Sequence, residues 1–163
     1  MNEQELKQAA CSHPVTFAHF YGIFARDELD HVTLPIGGFV IVNTDKRSSS
    51  GNHWVLFYRN TNQTVYFDSF GLPPLYSEFY KFANGVFVYN MKQLQDETSS
   101  QCGLYCLYFA LQLCLGESLE KIRLRFTNNT LLNDKIICTL FKKYFTYIPC
   151  NLGMTCRSLC EPI

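Results

Sequence analysis

The chain has 163 residues, enough for one domain with a substantial core and too few for two ordinary ones. Hydrophobic residues make up 47% and aromatics 15%, with 14 Phe and 10 Tyr, which excludes an intrinsically disordered chain. Fourteen Lys and Arg balance fourteen Asp and Glu, so no overall field draws the chain toward nucleic acid or an anionic membrane.

The opening segment MNEQELKQAACSHP lacks the apolar core of a secretory signal, which points to an intracellular protein that is not secreted. Within it, Glu3 to Ala10 has helix formers and mixed charge and predicts a helix ending near Ser12 to Pro14. Gly38 to Asn43 is a β-branched run bounded by glycines and by the polar loop Thr44 to Asn52, which is strand chemistry. Two further strands, His53 to Arg59 and Thr64 to Asp68, are joined by the turn formers Asn60 to Gln63 and read as a β-hairpin. After Gly71-Leu-Pro-Pro74 come a helix over Leu75 to Ala83 and a strand over Val86 to Tyr89, introduced by Asn84-Gly85.

Cys102 to Leu115 is apolar and long, so it reads as a buried helix stopped by Gly116. It is interrupted by Gln112 and falls short of the roughly 18 to 20 residues of a membrane span, so no transmembrane segment is expected. Glu117 to Phe126 and Leu131 to Phe145 carry apolar residues at helical intervals. The expected fold is a single α+β domain over residues 1–163, with a central mixed β-sheet packed against the buried helix and further helices around it. The tail after about 149 carries no clear assignment. No repeat is found, and Ser48-Ser49-Ser50-Gly51 is a short surface loop.

The eight cysteines are irregularly spaced, and most read as reduced, buried thiols. Cys150, Cys156 and Cys160 form a loose group, but no CxxC unit or nearby His completes a four-ligand set, so no metal is expected. The basic clusters Lys46 and Arg47, Lys121 with Arg123 and Arg125, and Lys142 and Lys143 read as solvated faces rather than a phosphate track.

Thiolate chemistry needs a cysteine of lowered pKa and a base that accepts its proton. Cys102 follows the polar loop Gln95 to Gln101 and opens the buried helix, where the dipole and free N–H groups favour a thiolate. Next to it, Gly103 permits close approach. Cys106 and Cys114 lie further along the same helix and are expected to be buried and inert. Among four histidines, His53 alone opens a strand straight after a glycine-containing loop, whereas His13 and His19 fall in an irregular N-terminal segment and His31 in a charged one. Asp68, at the far end of the hairpin, is set to return beside His53 and fix its tautomer. Gln95 precedes Cys102 by seven residues and offers an N–H to an oxyanion, with the Cys102 backbone N–H as a second donor; Gln93 and Gln101 are rivals that spacing does not separate. Taken singly, each residue has a plainer reading: a buried thiol, a surface histidine, a turn-initiating aspartate, a solvated glutamine.

These residues resemble the adenovirus endopeptidase family, the adenains, and more distantly the ubiquitin-like-modifier proteases of the same clan. Glu3-Gln-Glu-Leu-Lys7, Phe20-Tyr-Gly-Ile-Phe24, Phe39-Val-Ile-Val-Asn-Thr44, Gly51-Asn-His-Trp54, Val65-Tyr-Phe-Asp-Ser-Phe-Gly71 and Gln95 to Cys106 are similar to adenain segments in the same order. The resemblance implies a cysteine endopeptidase with Cys102, His53 and Asp68 as its triad, Gln95 as the oxyanion donor and Trp54 flanking the site. It implies cleavage of capsid or core precursor proteins beside small residues such as Gly, by a monomer in the host nucleus or cytoplasm or packaged in a virion. No metal or organic cofactor is implied for the chemistry, but an activating viral peptide and DNA are. The acid is Asp68 where adenain has Glu, as in the modifier proteases, and no cysteine lies between Leu72 and Gln101 to carry adenain's disulfide to its activating peptide. A modifier deconjugase and a non-catalytic scaffold are the alternatives.

Overall fold

A computed structural model describes residues 1–146. Helix α1 spans Glu3–Ser12 and opens on a capping box in which Asn2 accepts from the Glu5 N–H and Glu5 accepts from the Asn2 N–H. It is followed by α2, Pro14–His19, with His13 as its cap through Nδ1 and Pro at the first helical turn. The histidines expected in an irregular segment thus sit at the two ends of a short helix. Strand β1, Phe20–Ala25, and a 3₁₀ turn over Arg26–His31 lead to β2, Phe39–Asn43. Then come β3, Trp54–Arg59, β4, Thr64–Phe67, α3, Ser77–Phe82, and β5, Phe87–Tyr89. Helices α4, Cys102–Cys114, α5, Leu119–Arg123, and α6, Thr130–Tyr144, complete the described chain. The uncertain tail, with Cys150, Cys156 and Cys160, lies outside the described residues.

The five strands form one mixed sheet in the order β1-β2-β3-β4-β5. Strand β3 runs antiparallel to both β2 and β4, while β1 adds in parallel to β2 and β5 in parallel to β4 at the two edges. The expected hairpin is present: Arg59 pairs with Thr64, and Asn60 Oδ1 accepts from the N–H groups of Asn62 and Gln63 in the turn. Strand β1 was not read from the sequence. Its pairing with β2 shifts register between Phe20 and Ile23 around Gly22, whose φ of 131° breaks the alternation that marks a strand.

Every residue of β2 is buried, so the sheet has a core on each face. On one face Phe39, Ile41, Leu56 and Phe67 meet α1, α4 and α6. On the other Val40, Val42, Phe57 and Tyr66 meet Phe79 of α3 and Leu29 of the 3₁₀ turn. Helix α4 is apolar on nearly all sides because it lies between the sheet and the outer helices, and Phe109 stacks on Phe67 with ring centroids 3.8 Å apart. Gly103 lets α1 approach closely, since a Cβ there would lie 2.9 Å from Leu6 Cδ2 and the leucine would have to shift. No helix among the described residues is long and apolar enough to cross a membrane.

Because Phe109 is fully buried between Phe67 and Phe126, Phe109→Ala is expected to lower unfolding free energy by about 3 to 5 kcal/mol, read from urea denaturation followed by circular dichroism.

Candidate active site

The sheet sets the first two groups. Pairing of Leu56 with Phe67 brings the start of β3 beside the end of β4, and a bond from the Thr44 N–H to the His53 carbonyl (2.9 Å) extends the β2–β3 ladder to His53 itself. His53 Nε2 lies 2.9 Å from Asp68 Oδ1, with the two side chains 15% and 5% exposed. The Phe70 ring lies against the imidazole, centroids 4.8 Å apart, and limits its rotation.

Helix α4 supplies the third group. It packs across β3, and the Cys106 thiol donates to the Trp54 carbonyl at 3.4 Å, which pins the first turns of the helix to the strand that begins next to His53. Cys102, at the first helical position, faces His53 closely enough for the two to shift each other's titration. With Nε2 held by Asp68, Nδ1 is the ring nitrogen left for the sulfur.

The electrostatics follow from a contest between burial and pairing. Burial pulls the His53 pKa down, but hydrogen bonds to Asp68 and Cys102 outweigh it and raise it to about 9. Burial pushes the Cys102 thiol up, but the bond to His53 and the backbone N–H groups of Trp54 and Gly103 hold it below its ordinary value of 9.0. Burial, with the nearby charges of Cys102 and Asp68, raises Cys106 well above that value despite a bond from its own backbone N–H; Cys114 is raised by burial to about 12. The site therefore favours a thiolate and an imidazolium side by side.

Asp68 is itself held. Oδ1 also accepts from the Phe70 N–H at 2.8 Å, and its peptide groups pair with the side-chain amide of Asn90, buried at 2% exposure. Gly71, at φ 71°, closes the turn with its N–H on the Asp68 carbonyl, and a Cβ there would lie 2.5 Å from the Lys92 carbonyl carbon.

Gln95 is almost wholly buried, and its side chain is fixed at both ends. Oε1 accepts from Ser69 Oγ at 2.6 Å and Nε2 donates to the Ser99 carbonyl at 2.8 Å, which leaves one amide hydrogen for a further acceptor. Backbone bonds from Leu94 and Gln95 to the Ser69 carbonyl dock this segment on the residue after Asp68, and the Leu94 carbonyl accepts from Tyr105 and Asn133. Gln93 donates to the Gln95 carbonyl, and Gln101 is the N-cap residue of α4, its carbonyl accepting from Leu104 and Tyr105. Trp54 donates from Nε1 to the Met1 carbonyl at 3.1 Å, so its indole ties β3 to the start of α1 beside the site.

The structure thus brings Cys102, His53 and Asp68 together, with His53 bonded to Asp68, Trp54 beside them and Gln95 docked on the residue after Asp68. Asn90, Ser69 and Phe70 were missed as supporting residues. Ser69 and Phe70 lie inside the Asp-Ser-Phe-Gly run, whereas nothing near Asn90 in the sequence marks it. Among the described residues no group of His, Cys, Asp and Glu is arranged to hold a metal ion.

Over 96 residues the chain is 29% identical to a protein of Acanthamoeba polyphaga mimivirus described as "Putative thiol protease R355", a match covering 50% of this chain and 32% of that protein. The fold is similar to that of the ASFV pS273R protease in its crystal structure, with a TM-score of 0.51 at 17% identity over 68% of this chain and 45% of that one. The chain spans well under two thirds of the length of these relatives. No protein-family model matches the chain. Both relatives are viral proteins named as proteases, and the fold is shared with one of them.

At pH 7, iodoacetamide is expected to alkylate Cys102 ahead of Cys106, Cys114 and Cys138, read by peptide mass mapping. His53→Ala removes the partner that lowers the thiol, so alkylation at pH 7 should slow by about tenfold or more.

Proposed function

We propose that this chain is a cysteine endopeptidase of the adenain type, a viral or virus-like-element maturation protease that cleaves capsid or core precursor proteins beside small residues such as Gly. The observation that carries the proposal is the placement of His53 between Asp68 Oδ1 and the Cys102 thiol, in a setting that raises the imidazole and lowers the thiol.

In this reading the Cys102 thiolate attacks the peptide carbonyl, and the carbonyl electron pair moves to an oxyanion held by Gln95 Nε2–H and the Cys102 backbone N–H. The latter is one of the donors a helix leaves without an intrahelical partner. The tetrahedral intermediate collapses as the imidazolium of His53 gives its proton to the leaving amine. Neutral His53 then takes a proton from water, whose oxygen attacks the acyl-enzyme and releases the acid and the thiolate. Asp68 keeps one ring nitrogen protonated and stabilises the imidazolium. Every step is assigned to side chains and N–H groups of the chain itself. Activation by a short peptide or by DNA, action as a monomer and packaging in a virion belong to the same proposal through the resemblance to adenain.

The identity of the acid favours one second reading. Asp68 stands where adenain has Glu and the modifier proteases have Asp, which supports a deconjugase removing a ubiquitin-like modifier. Incubation of the chain with structural precursors and, separately, with modifier fusions, followed by mass spectrometry, separates the two. Cleavage that persists in Cys102→Ala would overturn both.

Asp68→Asn is expected to reduce kcat on the order of 10² to 10⁴-fold, and Gln95→Ala on the order of 10² to 10³-fold, in steady-state peptide assays. The rate should rise with pH through a limb below 9, where Cys102 ionises, and fall near pH 9 as His53 loses the proton it must donate. The two limbs belong to the coupled pair.

A further inference from the structure

Strand β5 is only three residues long, and its ladder with β4 ends at the pair Tyr66 and Tyr89. Asp68 lies beyond that ladder, yet both of its peptide groups are satisfied by one side chain. Asn90 Oδ1 accepts from the Asp68 N–H at 3.0 Å, and Asn90 Nδ2 donates to the Asp68 carbonyl at 2.6 Å. The amide stands in for peptide groups that a longer β5 would have offered, and so releases the main chain to leave the sheet.

The released segment is the one that carries Gln95. Asn90 Nδ2 also donates to the Lys92 carbonyl at 3.2 Å, and Gly71 makes room for the Lys92 peptide. The Phe70 N–H bond to Asp68 Oδ1 moves with the Asp68 turn and does not anchor it to the sheet. The next residue, Ser69, is tied to Leu94 and Gln95, but Asn90 is the side chain that pairs with the Asp68 peptide groups themselves, and it is buried at 2% exposure.

We propose that Asn90 is a positioning residue for the acid of the site: by pairing with both peptide groups of Asp68, its amide sets the direction from which the carboxylate meets His53. The inference rests on the reading of His53 and Asp68 as parts of a peptidase site, but its first readout needs no peptidase activity. The titratable groups that face His53 are Asp68, from the end of β4, and Cys102, from α4; the Asp68 carboxylate also lies near Tyr66 and Cys106.

The test compares the full chain with its Asn90→Ala and Asn90→Ser variants. Ala removes both bonds, and Ser keeps a single short hydroxyl that is unable to reproduce the paired geometry. The first readout is the titration of the His53 ring by proton NMR, its resonance assigned by its loss in His53→Gln. The wild-type ring is expected to titrate near 9 and Asn90→Ala to move toward 6.5, with Asn90→Ser between them. The second is peptide cleavage, where kcat should fall on the order of 10²-fold with KM little changed. If both variants fail to fold, or fold with titration and kcat unmoved, Asn90 is a structural residue and the inference is overturned. A wild-type ring that titrates near 6.5 removes the ion pair and with it the proposed function. A ring near 9 without cleavage of any peptide removes the peptidase reading alone, and the titration still decides the role of Asn90.

Discussion

The antiparallel register of β3 and β4 is the constraint on which the site depends. Leu56 opposite Phe67 puts the residue before β3 and the residue after β4 at one end of the hairpin, and that is where His53 and Asp68 meet. A slip of one residue would reverse the face of every side chain on the slipped strand and separate the pair. The register is secured because the sheet is buried on both faces: Leu56 and Phe67 lie in the α4 core while Phe57 and Tyr66 lie in the α3 core, and neither set can change sides without exposing large side chains. The four-residue turn Asn60 to Gln63, closed by the Asn60 carboxamide, sets the count between the strands from the other end.

Within that frame, two buried thiols one helical turn apart end on opposite sides of the ordinary thiol pKa. Cys102 and Cys106 both lie in α4 and both are removed from water, which alone disfavours a thiolate in either. The difference is in what faces them. Cys102 meets an imidazole and the backbone N–H groups of Trp54 and Gly103, while Cys106 meets the Trp54 carbonyl, an acceptor that a protonated thiol satisfies and a thiolate would repel. The backbone of Trp54 therefore stabilises a thiolate through its N–H and, one peptide group later, holds a thiol through its carbonyl.

Much of this arrangement was legible in the sequence, and the reason is local. The strands β2 to β5 and the helices α1, α3, α4, α5 and α6 carry their periods and stop signals within themselves, so their ends agree with expectation to within a few residues. His53, Asp68 and Cys102 were legible because each stands where an element begins or ends. Strand β1 was hidden because Gly22 shifts its register, and α2 because its six residues are too few to display a period. Spacing does not separate Gln93, Gln95 and Gln101; what sets Gln95 apart in the structure is its burial and the bond to its Oε1 from Ser69, 26 residues earlier. Asn90 was illegible for the same kind of reason: a polar residue after a short strand looks like a loop residue, and its bonds run to Asp68, 22 residues away.

The three loops that meet at the site are each tied down by polar groups rather than by core packing. Loop 68–71 is held by Asn90, and the segment that carries Gln95 by Ser69, Tyr105 and Asn133. Loop 44–52, which delivers His53, is closed by the Thr44 N–H bond to the His53 carbonyl, and Asn43 Oδ1 accepts from the Asp45 N–H at its start. Its middle is held by Arg47, which reaches Glu28 twice and Glu3 once, while its N–H donates to Asp27. Arg47 is about half exposed, and a single such ion pair contributes little in water. Four bonds from one residue to three separate carboxylates restrict the loop in several directions at once, however, and the loop has only to be kept from wandering. Apolar packing of the same loops would have buried peptide groups that the irregular backbone cannot pair. Side-chain amides, hydroxyls and carboxylates satisfy those groups and set their direction together, which is why the supports of this site are polar residues in a molecule whose sheet and helices are held by aromatic and aliphatic ones.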